Sequence, residues 1–303
     1  MNIIILGSQG FIGTYLCDHF LKAGHTVYGA DVLEIPAPVM YHYVKFSRLS
    51  AQWEDLLKLT TFDVCINAAG SGNVAYSVDN PVIDFEANTL DVLRILDALR
   101  KYLPHCKYIH ISSAAVYGNP DVFPIQELAA LQPISPYGFH KLMSEILCKE
   151  YHQLYQLNIA IIRPFSIYGN GLRKQLLWDI CNKLRNDNTI TLFGDGNESR
   201  DFIHITDFVL LVEKIIVKDK FYGEIYNAAS GKQIKIKEVA AIFEKSFGTD
   251  KTIYFNGSIK QGDPLNWQAD INKIAELGYK SAVDFNDGVN AYITWFNKLY
   301  ATN

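Results

Sequence analysis

The first thirty residues restrict this chain to very few architectures. Ile3-Ile4-Ile5-Leu6 is an unbroken run of β-favouring apolar residues, the pattern of a strand covered on both faces. It ends at Gly7. Phe11, Ile12, Tyr15, Leu16 and Phe20 then recur at helical spacing over Phe11–Ala23, and Gly24 stops the helix. His25–Ala30 reads as a second strand running up to Asp31. The same rhythm continues, with strands predicted over Asp63–Ala69, Tyr108–Ser112 and Ile159–Arg163. Helices are predicted over Val82–Tyr102 and over Pro136–Leu157, the latter with proline at its start. Alternation of this kind requires crossover connections, a parallel sheet and helices on its faces.

The turn after the first strand carries chemistry. Gly7-Ser8-Gln9-Gly10-Phe11-Ile12-Gly13 places three glycines between a strand and a helix. Glycine admits positive φ and lets backbone N–H groups approach a pyrophosphate, while the helix start adds about half a positive charge. Asp31 follows Gly7 by 24 residues, at the second strand end, where an acid binds ribose hydroxyls. An aspartate there repels a 2′-phosphate, so NAD is favoured over NADP. The fold class is α/β, a Rossmann-type doubly wound parallel sheet. After Pro164 the rhythm loosens and glycines cluster from Gly169 to Gly196. A strand at Ile190–Phe193, a helix at Thr206–Val217, a strand at Ile225–Ala228 and a helix at Ile236–Phe247 follow. Residues 1–165 are therefore expected to form the dinucleotide-binding domain, with return segments at about 204–230. Residues 166–303 are expected to form mainly a smaller substrate-binding lobe.

Composition excludes other classes. Lys+Arg 28 against Asp+Glu 32 gives a net charge of −4, without the basic excess that nucleic acid or an anionic membrane selects. No apolar run approaches the roughly 20 residues of a membrane helix, and the N-terminus lacks a signal-peptide pattern. Five scattered cysteines show no metal-ligand spacing. Reduced, buried thiols and a cytoplasmic location are expected, with no metal.

Tyr137-Gly138-Phe139-His140-Lys141 places a phenol and an ammonium four residues apart, on one face of a helix. A neighbouring ammonium favours the phenolate, so Lys141 is expected to pull Tyr137 down towards working pH. Such a tyrosine moves a proton as hydride moves to or from the adjacent carbon. Ser112 and Ser113 close the preceding strand at the carboxyl edge of the sheet, where ligands bind in open α/β folds.

Together these motifs resemble the extended short-chain dehydrogenase/reductases of the NAD-dependent nucleotide-sugar epimerase/dehydratase family. The likeness spans nearly the whole chain. It is carried by Gly7-x-x-Gly10-x-x-Gly13, Asn67-Ala68-Ala69-Gly70, Asn88, Ser112 to Gly118, Tyr137-x-x-x-Lys141, Arg163-Pro164-Phe165 and Gly194-Asp195-Gly196-x-x-x-Arg200-Asp201-Phe202. The resemblance implies Ser113, Tyr137 and Lys141 as catalytic residues. It implies Gly7, Gly10, Phe11, Ile12, Gly13, Asp31, Ala68, Ala69, Asn88, Tyr137, Lys141 and Pro164 around NAD. Ser113, Ser166, Arg200 and Lys260 would meet a nucleoside-diphosphate sugar. Ser166 stands where many members have asparagine, and Lys260 where a second arginine is usual. A homodimer through the Val82–Tyr102 and Pro136–Leu157 helices is the family expectation.

Family 4,6-dehydratases usually carry an acidic pair where Ala114 and Ala115 stand here, and a methyl group neither donates nor takes a proton. The resemblance therefore implies 4-epimerisation. Tyr137 would take the C4 hydroxyl proton as hydride leaves C4, and the bound ketone would turn over and regain the hydride on its other face. Ser113 would hold the oxygen in both steps. A 4-ketoreductase, using the same residues once and releasing NAD(P)⁺, is the alternative. A 4,6-dehydratase and a non-catalytic nucleotide-binding protein rank behind it.

Overall fold

Ile3 and Ile5 face one side of a parallel sheet and Ile4 and Leu6 the other, and all four are fully buried. The structure, a computed structural model, describes residues 1–34, 39–47, 53–247, 250–258 and 262–301. In chain order the first part runs β1 (Asn2–Leu6), α1 (Phe11–Lys22), β2 (Thr26–Asp31), β3 (His42–Lys45), α2 (Trp53–Leu57), β4 (Val64–Asn67), α3 (Val74–Asp79), α4 (Pro81–Phe85), α5 (Asp91–Tyr102), β5 (Lys107–Ile111), α6 (Pro136–Tyr155) and β6 (Ile159–Pro164). The second part runs β7 (Ser166–Tyr168), α7 (Gln175–Asn186), β8 (Ile190–Leu192), β9 (Ser199–His204), α8 (Ile205–Lys218), β10 (Tyr222–Ala228), β11 (Gln233–Lys235), α9 (Ile236–Ser246), β12 (Ile253–Phe255), α10 (Asn272–Glu276) and α11 (Phe285–Tyr300).

The main sheet has the order β10-β6-β5-β4-β1-β2-β3, with every pair parallel. Chain order reverses between β1 and β4, which opens a crevice at the carboxyl edge. On one face Leu16 and Phe20 of α1 pack with Phe208, Leu211, Val212 and Ile215 of α8. On the other, α2, α5 and α6 bury Trp53, Leu56, Ile95, Leu96, Leu99 and Tyr151. Each buried Leu, Ile or Phe stabilises the fold by about 1.5–3 kcal/mol. β10 joins the sheet beside β6 although it lies more than fifty residues later in the chain. The remaining segments build a three-stranded sheet (β11-β9-β7) and a two-stranded one (β12-β8). α7, α9 and α11 cover them with Leu177, Ile180, Val239, Phe243, Tyr292 and Phe296.

Two expectations from the sequence are corrected. The helix predicted over Val82–Tyr102 is instead α4, a π-helical turn at Glu86–Leu90, and α5. Asp91 N donates to Glu86 O five residues back, the wider loop that defines such a turn. The turn-rich stretch between Gly169 and Gly196 contains a full helix, α7. Leu177, Ile180, Cys181 and Leu184 recur there at helical spacing and are buried, but flanking glycines obscured the pattern.

Beneath the carboxyl edge, Arg163 at 1% exposure forms a two-pronged ion pair with Glu145, at 2.9 and 2.6 Å. Its Nη1 donates to Tyr117 Oη and to the Glu127 carbonyl, both at 2.8 Å. Ser112 donates to Glu145 at 2.5 Å. These bonds tie β5, α6 and β6 together under the site. The five cysteines are free and buried, and no helix of the described residues is long and apolar enough to cross a membrane.

Candidate active site

The crevice begins at Gly7, which adopts φ +78°. A Cβ on Gly7 would lie 2.7 Å from Ala69 N and Cα, and one on Gly13 only 2.1 Å from Gly7 O. The turn is thus pressed between the end of β4 and the first turn of α1. Gly10 caps α1 without a side-chain bond, and no acidic residue occupies the first turn. The free N–H groups there, next to Phe11 and Ile12, face no competing carboxylate from that turn. Asp31, buried at the end of β2, accepts Gln9 N at 2.9 Å and Leu33 N at 3.2 Å. Each of its oxygens keeps a second lone pair. Gln9 Nε2 also donates to Tyr41 Oη at 2.7 Å, a contact that no sequence motif announced.

Ala68 and Ala69 follow β4, half-buried. Above them the π turn carries Asn88, whose Nδ2 donates to Asp84 Oδ1 at 3.1 Å. Its Oδ1 is buried without a partner. It also lies 2.4 Å from where a Gly70 Cβ would stand. Pro164 ends β6 opposite Ala228, and Ser166 opens β7, half-buried, in register with Phe202.

Ser113 caps a short 3-10 turn, its Oγ accepting Ala115 N at 3.1 Å. Tyr137 is the second residue of α6, whose start is set by Pro136 and by Ser135 Oγ accepting Gly138 N at 3.2 Å. Tyr137 N also donates to Ser77 Oγ at 3.1 Å. The phenol is buried, and Ser113 acts on it through a side-chain hydrogen bond. Lys141 Nζ donates to Ile111 O at 3.0 Å and lies 6.0 Å from the Tyr137 ring centre. The three residues are therefore brought together at the sheet edge.

Their electrostatics differ from the sequence expectation. Burial pushes the Tyr137 phenol up to about 12, against the Ser113 hydrogen bond and helped by the charge of Asp84. Burial lowers Lys141 to about 8, opposed by Asp84 and Glu145. The ammonium does not drag the phenol down in this state, because desolvation outweighs attraction and Nζ is bound to a carbonyl.

Arg200 lies on β9. Its Nη1 donates to Ser199 O at 2.9 Å and Leu265 O at 3.3 Å, and the guanidinium sits 5.7 Å from the Trp267 ring centre. Neither neighbouring acid takes it. Glu198 accepts Asp195 N and Gly196 N, while Asp201 accepts Ser230, Gly231 and Ala269 donors. Burial pulls the Arg200 pKa down, against the charges of Asp263 and Glu198. Trp267 stands edge-on to Phe165 at 5.6 Å and shares a buried cluster with Tyr137, so the guanidinium lies beside that cluster. Lys260 lies outside the described residues. His110 bonds Ser144 at 2.8 Å and packs within the core.

The sequence profile of the NAD dependent epimerase/dehydratase family matches residues 3–229. The chain belongs to that family. An uncharacterized UDP-glucose epimerase of Bacillus subtilis (strain 168) is 30% identical over 99% of both chains. A putative UDP-glucose 4-epimerase of Methanocaldococcus jannaschii is 30% identical over 97% of both. A UDP-glucuronic acid 4-epimerase from Bacillus cereus, solved with UDP-glucuronic acid and NAD, superposes with a TM-score of 0.90. It is 28% identical over 99% of this chain and 100% of that one.

This epimerase/dehydratase is an NAD-dependent enzyme of the extended short-chain dehydrogenase/reductase type. Its own residues fit the dinucleotide. The crowded glycines leave no side chain over the turn, Asp31 keeps acceptor capacity, and Asn88 Oδ1 is an unpaired acceptor beside the crevice. Ala114 and Ala115 are both buried apolar methyls beside Ser113. Asp84 and Glu145, which act on Lys141, carried no motif. Asp84 was legible only as an acid one helical turn before Asn88.

Proposed function

We propose that the enzyme inverts C4 of a UDP-linked sugar by transient oxidation of that carbon. The observation that carries this reading is the buried Ser113, Tyr137 and Lys141 cluster, flanked by alanines where a dehydration acid would have to stand. The names of the similar proteins supply the uridine diphosphate and the position on the sugar. Bound NAD⁺ supplies reversible hydride acceptance from C4. Gly7, Gly10, Phe11, Ile12 and Gly13 hold its diphosphate, and Asp31 holds a ribose. Ala68, Ala69, Asn88 and Pro164 line the rest.

The chain's own groups do the proton work. Tyr137 Oη takes the C4 hydroxyl proton and returns it, and Ser113 Oγ holds the same oxygen on both faces of the turnover. Lys141 is the resident cation that stabilises the phenolate once positive charge and substrate complete the pocket. Burial removes water that would compete for these bonds. Arg200 forks onto the substrate diphosphate, and Ser166 is assigned to the same substrate. We also propose a homodimer, supported by the exposed stripe Phe139, Met143 and Ile146 on α6 beside Val82 and Ile83 of α4. A cytoplasmic location is supported by five free thiols.

Proton NMR of UDP-glucose, UDP-glucuronate and UDP-N-acetylglucosamine incubated with the NAD⁺-loaded enzyme tests the reading. One of them is expected to give its C4 epimer with no net absorbance change near 340 nm. Tyr137→Phe is expected to lower that turnover by about 10²–10⁴-fold with UDP binding retained. Net consumption of reduced cofactor with a 4-keto sugar nucleotide would show a reductase instead. Full turnover by Tyr137→Phe would refute the mechanism.

A further inference from the structure

Beneath the sheet edge, a file of polar groups runs from the loop after β4 to the helix that carries Tyr137 and Lys141. Ala69 N donates to Asn67 Oδ1 at 3.1 Å, and Asn67 Nδ2 donates to Tyr108 Oη at 3.0 Å. Tyr108 Oη meets His110 Nδ1 at 3.4 Å, and His110 Nε2 meets Ser144 Oγ at 2.8 Å. Ser144 Oγ donates to the Lys141 carbonyl at 2.7 Å. Asn67 of β4 and His110 of β5 are register partners. Asn67, Tyr108, His110 and Ser144 are all buried, and the last three have no part in the chemistry proposed above.

The two ends fix the direction of every bond between them. Ala69 N–H only donates, so Asn67 turns its oxygen to it and its NH₂ to Tyr108. The Lys141 carbonyl only accepts, so Ser144 gives its one proton there and accepts from His110. His110 therefore carries its proton on Nε2 and accepts the Tyr108 hydroxyl on Nδ1. An imidazolium would leave the buried Tyr108 proton without an acceptor. Burial and the Lys141 charge act the same way, holding the His110 pKa well below its ordinary value. Ile111, the next residue of β5, accepts Lys141 Nζ at 3.0 Å. Successive residues of one strand thus grip Lys141 at both ends, His110 through Ser144 at its backbone and Ile111 at its ammonium.

We propose that His110, as its Nε2–H tautomer, is a positioning residue of the reaction, tying the cofactor-lining loop at Ala69 to the backbone of Lys141 and so setting the lysine's place against the dinucleotide. It touches no reacting atom. Hydrogen bonds in series in a dry interior reinforce one another, so a cut at one link loosens the rest. The proposal rests on the reading of Tyr137 and Lys141 as the proton-transfer pair.

Long-range ¹H–¹⁵N NMR of the NAD⁺-loaded enzyme reads the tautomer directly, with His110→Gln to assign the ring signals. A protonated Nε2 and a bare Nδ1 are expected. A proton on Nδ1, or on both nitrogens, overturns the proposal whatever the activity. Kinetics read the consequence. His110→Gln still donates to Ser144 and accepts from Tyr108, whereas His110→Phe fills the space and does neither. With the UDP-sugar that is turned over, His110→Phe is expected to lower kcat by about tenfold, the worth of one hydrogen bond spent on placement. KM is expected to stay in place, and His110→Gln to recover most of the rate. Tyr108→Phe and Ser144→Ala cut the file on either side of His110 and carry the comparison should His110→Phe not fold. Their double variant is expected to lose no more than the worse single one, because a file cut once is already cut. Unchanged kcat with only a lowered unfolding midpoint shows a structural tie and overturns the proposal. Equal losses in His110→Phe and His110→Gln, or additive losses in the double variant, do the same. Either result beside an inactive Tyr137→Phe removes only the role of His110. A fully active Tyr137→Phe removes the catalytic reading itself and leaves the tautomer as measured.

Discussion

Arg200 shows how far a single residue can be read. Its type and its place in Arg200-Asp201-Phe202 point to phosphate, yet two acids adjoin it in sequence. Only the structure shows both acids occupied by backbone donors and the guanidinium left over Trp267. A half-buried cation with spare donors is proposed to meet a ligand oxyanion. Arg200→Lys keeps the charge but loses the planar fork. UDP affinity measured by calorimetry is expected to fall by about tenfold, the equivalent of one charge-assisted hydrogen bond, with a smaller change in kcat. Unchanged affinity would leave the side chain only its bonds to the Ser199 and Leu265 carbonyls. Tyr137 makes the complementary point. Its position was legible from the spacing to Lys141, whereas its raised pKa was not, because burial is a property of everything packed around it.

At the level of elements, the β1–turn–α1 unit was readable almost to the residue, since three glycines, a β-rich run and an amphipathic helix agree locally. The reason for the third glycine is steric and can be tested. In Gly13→Ala the new methyl meets a backbone oxygen at 2.1 Å that cannot swing away. Denaturant unfolding is expected to show a loss of about 1–3 kcal/mol, and NAD⁺ binding by calorimetry is expected to disappear. A stable variant with normal affinity would mean that the turn relaxes freely. The π turn at Glu86–Leu90 was not readable. Its wider backbone loop comes with Asn88 bonding Asp84 and with Thr89 bonding α6, and no local propensity encodes those partners. α7 was missed for the opposite reason, since its apolar spacing is present but the surrounding glycines suggested turns.

For the whole molecule, the apolar stripe of Phe139, Met143 and Ile146 on α6 remains in solvent in one copy of the chain, a face that a second copy is proposed to cover. Ile146→Glu places a charge in that contact. Light scattering is expected to give a dimer for the wild type and a monomer for the variant, and a monomeric wild type would refute the pairing. The order of residues alone dictates alternating strands and helices, the phosphate-cradling turn and the phenol–ammonium spacing, because each depends on neighbours within one or two turns of chain. Three-dimensional packing alone decides that β10 completes the sheet, that Arg163 matches Glu145, and that Asp84 of α4 meets His140 of α6. Those arrangements join residues from 18 to about sixty positions apart, and their energies come from desolvation and charge pairing that exist only once the layers have closed.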